Sequence, residues 1–214
     1  MDFEWMEEIS WLKKIKDTVA FRQRAGDILN WAPKLGLVPK PSGRKPGISV
    51  LMRLKNEARW IELTVRSLAP FVEQFSIVDN GSTDGTPKIV EEVADELSLN
   101  YVLEILPTED FGEVCDRALH NTTCHWVLRW DGDMIARTQG KDSFMRIREF
   151  ALSLDTDRYY SINFPHIQLE ADLFHQDPHQ LIHYEDYLFT YSPKLYHRRK
   201  GRLREMIYPL YYKY

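Results

Sequence analysis

Two carboxylates separated by one glycine, Asp131-Gly132-Asp133, follow directly on the apolar run HWVLRW. A pair at that spacing can converge on one hard divalent cation, or divide between a cation and hydroxyl groups. Gly132 leaves room for a phosphate to approach the backbone. A second polar cluster, from Asp79 to Thr86 (DNGSTDGT), follows the run QFSIV. Asp79, where that run stops, can accept hydrogen bonds from a base or a ribose. Asn80, Gly81 and Ser82 permit a tight turn. Ser82 or Thr83 suits the cap of a helix opening at Thr86-Pro87, and Asp84 also suits a capping role. A third cluster, Lys55-Asn56-Glu57, ends the run ISVLMRL. Neither a Walker sequence nor GxGxxG occurs, so the common triphosphate and dinucleotide loops are absent. His166, His175, His179, His183 and His197 all follow the acidic pair, without the spacing of a compact zinc site.

These clusters need elements to hold them, and the apolar periodicity supplies an alternation of strand and helix. Residues 48–54 read as a strand and 57–71 as a helix with Ile61, Val65 and Leu68 on one face. A strand at 74–78 leads to a helix opening at Pro87, where proline suits the first turn. A strand at 101–106, a helix at 112–122 and a strand at 125–130 follow. Strands separated by helices predict an α/β fold: a mostly parallel sheet with helices on both faces. Ligands in such sheets sit at the carboxyl ends of the strands, which is where all three polar clusters fall. Beyond them, 141–154 reads as helix, 159–164 and 195–199 as strands, and HYEDY (183–187) as loop-like.

The remaining segments frame this body. Phe3, Met6, Ile9, Ile15 and Val19 predict an amphipathic N-terminal helix over 3–31, and a Pro- and Gly-rich strap follows at 33–47. Trp5 and Trp11 beside lysines give that helix a face for the domain body, a partner or a peripheral membrane contact. The principal domain is expected to start at Ile48, with halves at 48–135 and 136–214. A chain of 214 residues with 43% apolar and 28% charged residues is expected to fold as a globular protein. A net charge of -4 gives no reason to expect a nucleic-acid partner. No apolar run reaches the length of a membrane span. The acidic opening Met1-Asp2-Phe3-Glu4 lacks the pattern of a signal peptide, so a cytoplasmic location is expected. Cys115 and Cys124 are expected as reduced, partly buried thiols. Aromatic residues reach 13% and crowd the two ends, which are expected to pack on the fold or on a partner subunit, including a second copy of the chain.

ISVLMRLKNE, IVDNGSTDGT and WVLRWDGDM, in that order and spacing, resemble the family 2 glycosyltransferases with the GT-A fold. The match covers about residues 48–135 and thins beyond. It implies a nucleoside-diphosphate sugar, UDP- or GDP-linked, as donor, and a hydroxyl acceptor on a saccharide or glycoconjugate. Arg53 and Leu54 match the end of the strand that passes the nucleotide base, and Glu57 matches an acidic residue that reaches the nucleoside. Asp79 matches the residue that hydrogen-bonds the base. Asp131 and Asp133 match the metal-binding carboxylates, the first on ribose or a bridging metal, the second on Mn²⁺ or Mg²⁺ at the diphosphate. Arg117 resembles an arginine that faces the donor.

The resemblance also implies inversion of the anomeric carbon in one displacement, with no covalent nucleophile. The general base then lies after the metal motif. Asp186 is the favoured candidate and Glu185 the next, with Glu170, Asp172 and Glu205 behind them. Some relatives supply a late histidine as a further metal ligand, and His197 is the candidate here. The basic run from His197 to Arg204 could hold the diphosphate or an anionic acceptor. Two other readings compete: a binding or scaffold protein without turnover, and a nucleotidyltransferase. The intact carboxylate pair speaks against the first. The second would bring a glycine-rich signature near the first strand, which ISVLMRLKNE lacks.

Overall fold

The computed structural model describes residues 19–41, 43–169, 183–200, 203–207, 209 and 212–213. Five helices alternate with strands among them: α1 (Val19–Leu29), α2 (Ile61–Leu68), α3 (Thr86–Glu96), α4 (Phe111–His120) and α5 (Phe144–Ser153). The strands are β1 (Lys45–Leu54), β2 (Gln74–Asp79), β3 (Tyr101–Ile105), β4 (Cys124–Asp131), β5 (Tyr159–His166), β6 (His183–Thr190), β7 (Tyr196–Lys200), β8 (Leu203–Ile207) and β9 (Tyr212–Lys213). Seven form one sheet in the order β3-β2-β1-β4-β6-β5-β9, and β7 and β8 form a separate hairpin.

The alternation of side chains along β1 and β4 builds two cores. Ile48, Val50, Met52 and Leu54 of β1 join Trp126, Leu128 and Trp130 of β4 on one face. There they meet Ile61, Val65 and Leu68 of α2, Val90 and Val93 of α3, and Phe144 of α5. Leu51 and Val127 point to the other face, against Val114, Ala118 and Leu119 of α4. Fully buried side chains such as Ile48 and Leu128 each contribute roughly 1.5–3 kcal/mol of burial free energy. Trp126 and Trp130 are packing residues of the first core.

The sheet is mixed with parallel pairs in the majority: β5 and β9 also pair parallel, and β6 is its antiparallel strand. β3-β2, β2-β1 and β1-β4 pair parallel, whereas β6 runs antiparallel to both β4 and β5. A parallel neighbour needs a long crossover, usually a helix.

Three boundaries also differ. β6 starts at His183, so HYEDY is strand and not loop. β1 starts at Lys45, inside the stretch read as strap. Of the helix expected over 3–31, α1 is the described part; residues 3–18, with Phe3, Trp5 and Trp11, lie outside the described residues. In α1 Ile28 is exposed and Gly26 is buried. Both cysteines are free thiols and fully buried. Tyr212 of β9 is buried against Tyr159 of β5, ring centroids 5.2 Å apart, and its hydroxyl donates to Thr190 O. That end of the chain thus packs on the fold; Tyr208, Tyr211 and Tyr214 are outside the described residues. Among the described residues no helix is long and apolar enough to cross a membrane.

Candidate active site

The polar clusters at the ends of β1, β2 and β4 are locked together chiefly by backbone N–H donors and short side chains. Asn56 holds a positive φ of 57°, a conformation asparagine tolerates better than most residues. Its N–H donates to Ser82 Oγ (2.7 Å), and its own Oδ1 accepts from Thr83 N–H (2.9 Å). Glu57 N–H donates to Thr86 Oγ1 at 2.8 Å, and Ala58 N–H to Asp84 Oδ2 at 3.0 Å. Asp84 Oδ1 accepts from Thr86 N–H at 3.0 Å. Asp84 therefore serves the opening of α3, one of the three residues expected there; the residue preceding the helix is Gly85, without a side-chain bond.

Asp79 is fully buried at the end of β2. Its carboxylate accepts from Ser82 N–H (2.7 Å) and Ser82 Oγ–H (2.5 Å), closing the turn. The Asp131–Asp133 turn is fixed from below. Buried Thr64 of α2 donates its hydroxyl to Gly132 O at 2.8 Å, and Trp130 Nε1–H donates to Met134 O at 2.8 Å. Gly132 has no room for a side chain: a Cβ there would fall 2.7 Å from Glu57 Cγ and from Leu54 Cδ2.

Around this turn lies a cleft of about 370 Å³, lined by Arg53, Leu54, Lys55, Glu57, Asn80, Phe111, Val114, Asp131, Gly132 and Asp133. Arg53, Leu54, Glu57, Asp131 and Asp133 thus line one cleft. Arg53 and Asp131 are register partners on neighbouring parallel strands, and Arg53 Nη2 lies 2.5 Å from Asp131 Oδ1. Arg53 Nη1–H donates to Cys115 Sγ at 3.3 Å, and the guanidinium carbon lies 4.6 Å from the Phe111 ring centre. Burial alone would lower the Arg53 pKa, but Asp131 and Cys115 more than offset it. Burial, then the charges of Asp133, Asp131 and Asp84, push the Glu57 carboxyl above its ordinary range. Three carboxylates thus share the cleft with Arg53, engaged with Asp131, and with Lys55, whose ammonium donates to Asn80 O.

That acidic surplus, built from hard oxygen donors, fits Mn²⁺ or Mg²⁺. No group of three or more His, Cys, Asp or Glu among the described residues is arranged to hold a metal by itself. Such ions characteristically take one or two carboxylates and complete their shell with water and substrate phosphates.

Arg117 is not brought to the cleft; it pairs with Glu104 at 3.2 Å on the outer side of α4. Glu185 and Asp186 lie on β6, opposite Phe164 and Asn163 of β5. Because β6 runs antiparallel to β4, its first residues share the sheet edge where β4 ends in Asp131. His197 is on β7, opposite Met206 in the hairpin. Glu170 and Asp172 lie outside the described residues. Sequence reasoning missed Phe111, half exposed at the start of α4, and the bond from Arg53 to Cys115. The only signal for Phe111 was its place after Asp110, whose carboxylate caps α4 through Gly112 N–H at 2.9 Å.

Several solved structures are similar over part of the chain. S. aureus TarS (residues 1-349) is 30% identical, with 40% of this chain and 27% of that one covered and a TM-score of 0.37. The mannosyltransferase PcManGT from Pyrobaculum calidifontis, in complex with GDP-Man and Mn²⁺, is 22% identical over 66% of this chain and 44% of that one, TM-score 0.45. Glucosyl-3-phosphoglycerate synthase from Mycobacterium tuberculosis, in complex with UDP, is 22% identical over 67% and 47%, TM-score 0.40. The chain spans less than half the length of these structures. No curated protein matches it. The pattern of glycosyl transferase family 2 matches residues 49–201, well over half the chain and every strand end that lines the cleft, and the chain belongs to that family.

Proposed function

We propose that this chain transfers a sugar from a UDP- or GDP-linked donor to a hydroxyl acceptor, with inversion and with the help of Mn²⁺ or Mg²⁺. The observation that carries the reading is the convergence of Arg53, Glu57, Asp131 and Asp133 on one cleft at the carboxyl edge of the parallel strands. Asp133 and Asp131 would hold the ion, which supplies Lewis-acid stabilisation of charge on the departing diphosphate. Glu57, at the foot of the cleft, faces the nucleoside and accepts from its hydroxyls. Asp79 fixes the turn after β2, so the backbone beneath the base is preorganised before the donor arrives. An acid at the start of β6, Asp186 or Glu185, takes the proton of the attacking hydroxyl. The acceptor oxygen then forms its bond to the anomeric carbon as the bond to the diphosphate breaks.

Calorimetry with a panel of UDP- and GDP-sugars, with and without Mn²⁺, tests the reading at its first step. Metal-dependent binding of at least one is expected; no binding from any of them would remove it.

A further inference from the structure

β4 and β6 separate at the carboxyl edge of the parallel strands. Their ladder runs from Trp126 opposite Thr190 to Leu128 opposite Leu188 and stops there, although β4 continues to Asp131 and β6 begins at His183. Each strand keeps its other neighbour over the same stretch. Asp131 is still opposite Arg53 of β1, and His183 is still opposite His166 of β5. The sheet therefore forks, with the Asp131–Asp133 turn on one prong and Glu185 and Asp186 on the other.

Tyr187 stands at the fork. Ile162 of β5 is opposite Leu188 and Asn163 is opposite Asp186, so Tyr187 is the extra residue of a bulge. Successive residues of a regular strand face opposite ways, yet Tyr187 and Leu188 are both buried in the first core. Both prongs touch the Tyr187 ring. The ring of Trp130, the residue before Asp131, lies 6.2 Å from it between centroids, and the Arg129 guanidinium carbon is 5.2 Å from its centre. From β5, the Phe164 ring lies at 5.1 Å, and His166 Nδ1 is hydrogen-bonded to the Tyr187 hydroxyl at 3.0 Å.

We propose that Tyr187 is a positioning residue, a wedge whose ring holds β6 away from β4 and so sets the width of the space where the acceptor meets the donor. The inference rests on the transfer reading above and adds the device that keeps its two halves apart. Paired strands lie about 4.8 Å apart, with the gap filled by backbone hydrogen bonds. A ladder carried on to Asp131 would leave no room for a sugar between that turn and the acids of β6. The bulge supplies the extra ring at the point where pairing must end, and the bond to His166 fixes its tilt.

The test compares Tyr187→Val with Tyr187→Phe in the full chain. Valine favours strands and lacks the bulk of a wedge, so the ladder should extend toward Asp131. Amide hydrogen exchange at the fork, in 129–131 and 184–187, should slow by roughly tenfold, as new backbone bonds form. Turnover of a UDP- or GDP-sugar against water, read as release of UDP or GDP with Mn²⁺ present, should fall about a hundredfold. Donor affinity by calorimetry should stay within about threefold, because the donor side of the cleft is untouched. Tyr187→Phe keeps the ring and loses only the bond to His166; it should restore turnover to within about tenfold of native and leave exchange at the fork as it is. Tyr187→Leu is read in the same way as the valine variant and serves if that one does not fold. Unchanged exchange at the fork, turnover within about threefold of native in the valine or leucine variant, or donor affinity falling in step with turnover would each overturn the proposal. If no UDP- or GDP-sugar binds the native chain, the transfer reading fails, and the exchange measurement alone decides on the wedge.

Discussion

Glu57 packs against the backbone of Gly132 so closely that the glycine's missing methyl group is the space the glutamate occupies. The loop after β1 and the turn after β4 therefore fit as one surface, and either one displaced would displace the other. Gly132→Ala should cost about 1–3 kcal/mol of stability, the usual penalty for overpacking, and weaken donor binding more than tenfold. Chemical denaturation and calorimetry on the same variant check both parts. A variant of native stability and donor affinity would show that the two loops are not coupled.

Thr64 supports the same turn from α2 through its bond to Gly132 O. Thr64→Val keeps the shape and removes the donor, leaving a carbonyl unpartnered in a buried place. A loss of about 1–3 kcal/mol is expected, with a weaker hold on nucleotide and metal. Native donor affinity in this variant would restrict Thr64 to a stabilising role.

Asp133 is exposed on the cleft and makes no structural bond among those described. Asp133→Ala should therefore melt at the native temperature while metal-dependent transfer falls roughly a hundredfold or more. Unchanged turnover would remove Asp133 from the metal assignment.

Asp186→Asn and Glu185→Gln separate the two candidate bases. The true base should lower turnover by roughly a hundredfold to ten-thousandfold and leave donor affinity within a few fold. If neither substitution does so, the base lies elsewhere in the acceptor half.

His125 gives the stability a pH dependence. Burial holds its imidazole below the ordinary 6.5; a backbone hydrogen bond with Pro41 opposes this in part, and Arg44 reinforces it. Below pH 6.5 the unfolded chain binds a proton that the folded chain refuses. The contribution is complete above that pH and is lost as the pH falls toward the folded value. The melting temperature should drop more steeply between pH 7 and 5 than that of His125→Gln. Parallel curves would assign the dependence to other groups.

The donor half was legible because each functional cluster begins where an apolar strand period stops: Leu54 to Lys55, Val78 to Asp79, Trp130 to Asp131. The expected strands of this half match β1 to β4 within a few residues. β6 was hidden because His183, Glu185 and Asp186 are weak strand formers, and its pairing with β4 and β5 overrides that preference. Arg117 and Arg53 were equal as cations in the sequence. Only register distinguishes them, since β1 points Arg53 at Asp131 and α4 turns Arg117 toward Glu104. Phe111 was invisible for the same reason, since an aromatic at the start of a helix carries no sign of which strand it will cover.

The two residues of β9 have a consequence for how the sheet is completed. They pair with Tyr159 and Tyr160 on the outer side of β5, and α1 lies over them so tightly that a methyl group on Gly26 would strike Tyr212 O. Until residues 212–213 arrive, β5 presents the unpaired edge of Tyr159 and Tyr160, backbone groups of the kind that recruits strands from other molecules. The short strand is thus a latch on the rim, and α1 is the bolt across it. Removing residues 209–214 should leave the donor cleft intact and increase self-association through β5, read as a shift to larger species in light scattering.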